Sequence, residues 1–220
     1  MSGDKLTALQ WRILEILAGL QPPWTLTGGA ALAGFHLKHR FTKDLDLFWH
    51  GQSQLGGLPQ KVRDRLTAAG LEIAVVQSGD SFYQFRVSDG QEVCIVDLVA
   101  ESIPPVEVPH LVRVQGVSIS VDTPHEILVN KLCALLGRAE IRDLIDVRAL
   151  LQTGADLKRA LEDASRKDAG FSPLTLAWIL RDVRPTALAR AIGMDPAEAE
   201  DLEKFKERLV SDLQEAGAPE

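Results

Sequence analysis

The spacing of apolar residues changes near residue 121, and this change constrains the fold of the chain more than any other feature. Before it, helical segments are interspersed with short runs, bounded by Gly, Pro and Asp, in which apolar side chains alternate with polar ones, as in "SFYQFRVSDGQEVCIVDLVA". After it, they recur every third or fourth residue over longer segments. Alternation is typical of β-strands, and the longer period is typical of helices. The sequence therefore predicts an α/β half over residues 1–121 and a helical half over residues 122–220, closely packed without a flexible linker.

Turn and cap signals divide both halves into elements. In the first half we expect an amphipathic N-terminal helix, a short strand in "WTLTGG", a helix from Ala30 to His39 and a strand in "KDLDLFWH". A helix from Pro59 to about Gly70, a strand in "LEIAVVQ" and two hairpins, centred on "SDG" and on Gly116, complete it. In the second half the pattern predicts helices over residues 124–136, 141–152, 155–167, 173–182 and 196–215.

Composition limits the classes of function. The formal net charge of −7 argues against a large, uniformly basic surface, and no DNA partner is expected. No apolar run approaches the ~20 residues that a membrane span needs, so no membrane contact is expected. Cys94 and Cys133 form no disulfide framework and are expected as buried thiols. A cytoplasmic location is the expectation.

Two aspartates interrupt the apolar strand "DLDLFW". Side chains two residues apart on a strand share a face, so Asp44 and Asp46 point the same way. Asp97 lies in a second apolar run, "EVCIVDLVA". Carboxylates gathered in this way suit Mg²⁺ or Mn²⁺, since hard cations prefer oxygen ligands. The alternatives are a solvent-facing pair on an edge strand, and an Asp97 satisfied by local hydrogen bonds.

A pair of glycines precedes the acidic strand at a strand-to-helix turn. Gly28 and Gly29 would let backbone N–H groups approach a phosphate, although an ordinary tight turn has the same residues. Ala30, directly after them, offers no hydroxyl to such a ligand. Three carboxylates beside an amide-rich turn are the groups that two-metal nucleotidyl transfer requires.

A lysine interrupts the apolar stripe of the helix from Pro124. Lys131 either reaches an anion, such as a triphosphate, or extends its ammonium to solvent. In the following segment, "IRDLIDVRALL", the residues Arg142, Asp143 and Asp146 are able to form an ion-pair network that fixes the helix against the α/β half. A structural role for this network and a catalytic one stay open.

These motifs resemble a known family. "LTGGAAL…HRFTKDLDLFW", "VDLV" and "VNKLCALLGRAEIRDLIDVRALL" are similar, in order, to the motifs of the AbiEii/AbiGii-type nucleotidyltransferases. These are toxins of abortive-infection toxin–antitoxin systems, within the polymerase-beta-like nucleotidyltransferase superfamily. The resemblance covers residues 25–50, 93–99 and 127–151, and no motif matches beyond about residue 155. It implies an α+β fold, with a nucleotidyltransferase-like mixed β-sheet, flanking helices and a helical C-terminal half.

The resemblance also implies an activity. The expected reaction moves a nucleoside monophosphate from an NTP to a hydroxyl of RNA, such as a tRNA 3′ end, or of a protein, with Mg²⁺ or Mn²⁺ as cofactor and an antitoxin as a possible partner. Alternatives are a weak or inactive nucleotide-binding module that acts through a partner, and a small-molecule nucleotidyltransferase of the antibiotic-modifying type. The predicted site has Asp44, Asp46 and Asp97 as metal ligands; Asp44, Asp46, Asp97, Lys131 and Asp143 as catalytic residues; and Gly28, Gly29, Arg40, Thr42 and Lys131 as nucleotide-binding residues.

Overall fold

The structure is a computed structural model that describes residues 5–114 and 116–218, apart from the side chains of residues 189–192. The chain divides into two compact units, Met1–Thr123 and Pro124–Glu220. In the described part of the chain, no helix combines the length and the apolar character that a membrane span requires.

The first unit is built on one mixed sheet. Its strands are β1 (Thr25–Thr27), β2 (Asp44–His50), β3 (Glu72–Ser78), β4 (Phe82–Ser88), β5 (Val93–Glu101), β6 (His110–Val114) and β7 (Val117–Val121). They lie in the order β3-β4-β5-β2-β1-β7-β6. The pairs β2–β5 and β1–β7 are parallel and the other neighbours are antiparallel. Both hairpins that the sequence predicts are present.

Strand β2 lies at the centre of the sheet and has two different faces. Its residues alternate between half-buried and buried along the whole strand, as expected when one face packs on a core and the other is polar. Leu45 and Leu47 are fully buried, whereas Asp44 and Asp46 are half-buried on the opposite face. The possibility of a solvent-facing edge strand is therefore wrong, because β1 and β5 flank β2 on both sides.

Helices α1 (Ala8–Leu17) and α3 (Leu58–Ala68) pack against each other in the first unit. Helix α3 lies on the apolar face of the sheet, where the guanidinium of Arg63 is 5.7 Å from the ring centre of Phe85. Phe85 pairs with Val96 of β5, and both are fully buried. The core of this unit therefore lies on the face opposite to the aspartates.

The helix predicted from Ala30 to His39 is displaced. It begins directly after β1 as α2 (Gly28–Ala31), and it continues as a π-helical turn, Leu32–His36. The amide of Leu37 donates to the carbonyl of Leu32 at 2.7 Å, which closes the wider turn. Lys38 then has a φ of 53°, a left-handed conformation that ends the helix before His39.

The second unit is helical. Its helices are α4 (Pro124–Arg138), α5 (Ile141–Gln152), α6 (Leu157–Lys167), α7 (Pro173–Asp182), α8 (Pro185–Ile192) and α9 (Pro196–Ala216). Helix α4 packs against α5, α6 and α7, and α9 packs against α5, α7 and α8. The sequence pattern correctly predicts these helices except α8, which it misses.

Candidate functional site

Polar residues form a row across four neighbouring strands. Asp46 of β2 pairs with Thr27 of β1 on one side and with Asp97 of β5 on the other. Gln84 of β4 pairs in turn with Asp97. Residues that lie opposite one another in a sheet point to the same face, and Asp44, two residues before Asp46, points there too. The structure thus brings the three predicted carboxylates onto one half-buried face of the sheet.

The glycine turn lies against this row. Gly28 has a φ of 64°, and a Cβ added there would collide with Oδ2 of Asp46. A Cβ on Gly29 would lie 2.9 Å from Nη2 of Arg40 and 3.2 Å from Oγ1 of Thr42. Because neither glycine has a side chain, there is room beside the turn for Asp46, Arg40 and Thr42, which the sequence assigns to the same site.

The substitution Gly28→Ala tests this close packing. We expect it to lower the free energy of unfolding by about 1–2 kcal/mol for the left-handed backbone, and by a further ~1 kcal/mol or more for displacing Asp46. Gly51→Ala is the matched control, because Gly51 has a φ of 74° but, its chain neighbours aside, no atom of a described residue lies within 4 Å of its added Cβ. Urea denaturation measures both losses. Equal losses would contradict the predicted contact.

Arg40 and Thr42 are held locally. Nη1 of Arg40 donates to the carbonyl of Phe41 at 3.1 Å. The side chain of Gln10, in α1, donates to the carbonyl of Thr42 at 3.2 Å. Helix α1 therefore anchors the segment that precedes the acidic strand, and phosphate binding by Arg40 and Thr42 stays a prediction.

Lys131 and Asp143 belong to the helical unit, where they form a buried ion-pair network. The ammonium of Lys131 lies 2.6 Å from Oδ1 of Asp143 and 2.9 Å from Oδ2 of Asp146. Arg138 donates to both oxygens of Asp143, at 2.9 and 3.1 Å. Both carboxylates are buried. Asp143 and Asp146 of the suggested network are thus paired, but with Lys131 and Arg138 of α4, so the network joins α4 to α5. Phosphate binding by Lys131 and a catalytic role for Asp143 stay predictions.

The network keeps Lys131 charged. Burial opposes the ammonium form, but the carboxylates of Asp146 and Asp143 outweigh it and raise the pKa of Lys131 above its ordinary 10.5. A raised lysine pKa adds stability that is fully present below the ordinary pKa and is lost only as the pH rises through the folded value. The network is therefore expected to persist through neutral and mildly alkaline pH.

The acidic row fits a divalent cation in its chemistry. Three carboxylates on adjacent strands are hard oxygen ligands of the kind that Mg²⁺ and Mn²⁺ prefer. Beside them the hydroxyl of Thr27, a residue only 3% exposed, has no hydrogen-bond partner among the described residues. Within residues 5–114 and 116–218, no three acidic, His or Cys side chains are already gathered as a metal site. Metal binding by Asp44, Asp46 and Asp97 stays a prediction.

Two members of the row were missed from the sequence. Gln84 donates to Oδ1 of Asp97 at 2.8 Å, and Thr27 lies opposite Asp46. Their only sequence signal is a polar residue inside a strand, which is too common to single them out. The strand register reveals them.

Two solved structures share this fold. A candidate nucleotidyltransferase from Helicobacter pylori aligns with a TM-score of 0.54 and 24% identity, over 97% of this chain and 100% of that one. JHP933, also from Helicobacter pylori, aligns with a TM-score of 0.53 and 22% identity, over 94% of this chain and 91% of that one. A search of curated proteins found no match. The fold is of the nucleotidyltransferase type, and the predicted α+β architecture is confirmed.

A sequence profile then gives the family. The profile described as nucleotidyl transferase AbiEii toxin, type IV toxin–antitoxin system, matches residues 12–219. The chain belongs to the AbiEii nucleotidyltransferase toxin family, and the resemblance drawn from the three motifs is confirmed. The match also includes the helices beyond residue 155, for which the motifs gave no counterpart.

Proposed function

We propose that this protein transfers a nucleoside monophosphate from an NTP to an acceptor hydroxyl, and that it acts as the toxin of a toxin–antitoxin pair. The observation that supports the proposal is the register of the sheet, which aligns Asp46 with Asp97 and places Asp44 on the same face. Family membership supports the reaction class. The proposed acceptor is RNA, such as a tRNA 3′ end, or a protein hydroxyl.

The reaction exchanges a phosphoanhydride bond of the NTP for a phosphoester bond to the acceptor. The acceptor oxygen bonds to the α-phosphorus of the NTP, the bond from that phosphorus to the bridging oxygen breaks, and pyrophosphate leaves. The carboxylate of Asp97 accepts the proton of the acceptor hydroxyl. Backbone amides at Gly28 and Gly29 contact the phosphates, and Arg40 and Thr42 support the same contact. Lys131 and Asp143 are assigned to the reaction by the family resemblance.

Divalent metal completes the proposed site. Asp44, Asp46 and Asp97 would hold Mg²⁺ or Mn²⁺. When bound, the metal offsets the charge that develops on the triphosphate and lowers the pKa of the attacking hydroxyl. Without a cation, three carboxylates on one face repel one another, so we expect the ion-free site to take up divalent cations readily.

One observation favours the alternative of a weak or inactive nucleotide-binding module. Ala30 is fully buried and supplies no hydroxyl beside the glycines, so contact with the phosphates depends on the backbone and on Arg40 and Thr42. Such a module would bind an NTP without transferring any part of it. It would act through a partner protein, such as an antitoxin.

Label transfer distinguishes the two functions. The full chain is incubated with each of the four α-labelled NTPs, Mg²⁺ and total RNA, in parallel with RNA-free samples and with samples that contain EDTA. We expect Mg²⁺-dependent label from one or more NTPs in RNA or, in the RNA-free sample, in protein. NTP-dependent thermal stabilisation without label in RNA, protein or small-molecule hydroxyl acceptors would replace the proposed transferase with the binding module.

A further inference from the structure

We propose that Gln84 is a positioning residue for the metal site, acting through Asp97. The inference rests on the proposed function, because it assigns Gln84 a task at the same acidic row. Gln84 is in β4, outside all three motifs of the family resemblance. Its side chain is the one that the register places directly across from Asp97, on the side away from Asp46.

The hydrogen bond has a defined direction. Nε2 of Gln84 lies 2.8 Å from Oδ1 of Asp97, a length typical of a donor bonded to a carboxylate. An ionised carboxylate only accepts hydrogen bonds, so the amide nitrogen and not the amide oxygen must face it. The contact thus restrains the rotation of Asp97 and fixes which of its oxygens lies towards β4.

The choice of a neutral donor matters for a cation site. Asp97 and Asp46 are direct neighbours, and their mutual repulsion would turn the two carboxylates away from each other. A lysine or arginine at position 84 would hold Asp97 but would also cancel the negative charge that attracts a cation. Gln84 holds the carboxylate and leaves its charge in place. Groups that orient metal ligands in this way typically change metal affinity by about 10–100-fold when removed.

Direct binding of Mn²⁺ tests the proposal without any reaction. The probe is MnCl₂ alone, titrated into the full chain and followed by the electron paramagnetic resonance signal of free Mn²⁺. We expect Gln84→Met, which keeps the length of the side chain and removes the N–H donor, to weaken Mn²⁺ binding about tenfold. Gln77→Met is the matched control. Gln77 is the exposed partner of Gln84 on the edge strand β3, and its loss should leave the affinity unchanged.

A double variant shows whether Gln84 acts through Asp97. If it does, Asp97→Asn combined with Gln84→Met should bind Mn²⁺ no more weakly than Asp97→Asn alone. Additive losses, or Mn²⁺ binding by Gln84→Met equal to that of the unmodified chain, would overturn the proposal. So would an unmodified chain that binds no Mn²⁺. Thermal melts in EDTA confirm that each variant is folded.

The outcome is separable from that of the proposed function. An unmodified chain that transfers label while Gln84→Met binds Mn²⁺ normally would remove the role of Gln84 and leave the transferase intact. The converse result is an unmodified chain that transfers no label to any acceptor, while Gln84→Met binds Mn²⁺ tenfold more weakly than the unmodified chain does. That result would support the positioning role and reject the transferase.

Discussion

Asp46→Asn is expected to abolish nucleotidyl transfer while leaving the chain folded. Asparagine keeps the shape of the side chain but removes the charge that would bind the metal ion. Such an ion lowers the activation free energy by several kcal/mol, and each 1.36 kcal/mol is a factor of ten in rate. Its loss therefore corresponds to a fall in rate of about 10³-fold or more. The transfer of label from an NTP measures the effect, and Asp44→Asn should behave in the same way.

The stability of this variant is part of the prediction. Asparagine keeps the shape of the side chain, and removing one of three carboxylates on a shared face relieves repulsion, so the ion-free melting temperature of Asp46→Asn should stay close to that of the unmodified chain. Asp64→Asn is the control, since Asp64 is exposed on α3, where it accepts a hydrogen bond from Gln60 at 2.7 Å. It should transfer label normally. Transfer by Asp46→Asn at the rate of the Asp64→Asn control would refute the assigned role.

The second large effect is on stability and lies in the helical unit. Lys131→Met removes the ammonium from between Asp143 and Asp146, whose exposed fractions are 1% and 0%. Removing one partner of a buried ion pair typically costs about 3–5 kcal/mol, because the remaining charge stays buried. We expect a loss of this size in urea denaturation. Because the pKa of Lys131 is raised, the loss should be constant from about pH 6 to about pH 9.

Two further variants separate this effect from a general loss of charge. Lys204→Met removes an exposed lysine of α9, 3.7 Å from Asp201, and should cost no more than about 1 kcal/mol. Asp146→Asn in the Lys131→Met background removes one of the two facing carboxylates and should restore part of the lost stability. A Lys131→Met chain as stable as the Lys204→Met chain would show that the buried network contributes little.

Local patterns predicted most elements because their causes are local. The alternation in "DLDLFW" follows from a strand with one apolar and one polar face, and "SDG" specifies a hairpin by turn geometry. The displaced helix after β1 and the missed helix α8 had weaker signals. A π-helical turn has no simple sequence period, and the short α8 begins at Pro185 and lies between other helices.

The site was predictable only in part, because its residues meet through pairings distant in sequence. The sequence gives Asp44 and Asp46 as neighbours on one face, but the alignment of Asp46 with Asp97 depends on the parallel pairing of β2 with β5. No local rule contains that register. The places of Gln84 and Thr27 beside the carboxylates depend on the same register, so these two residues can be recognised as part of the site only in the folded sheet. Lys131 shows a further limit, because the pattern predicts an unusual lysine but not its carboxylate partners.

The β2–β5 pairing has a consequence for how the protein matures. Asp46 and Asp97 are about 50 residues apart in the chain, so their alignment requires closure of a long loop, a step that is entropically costly and slow. A ribosome-bound fragment that ends before β5 lacks the partner strand altogether. Strand β5 ends at Glu101 of a chain of 220 residues, so the acidic row cannot assemble until nearly half of the polypeptide has been synthesised.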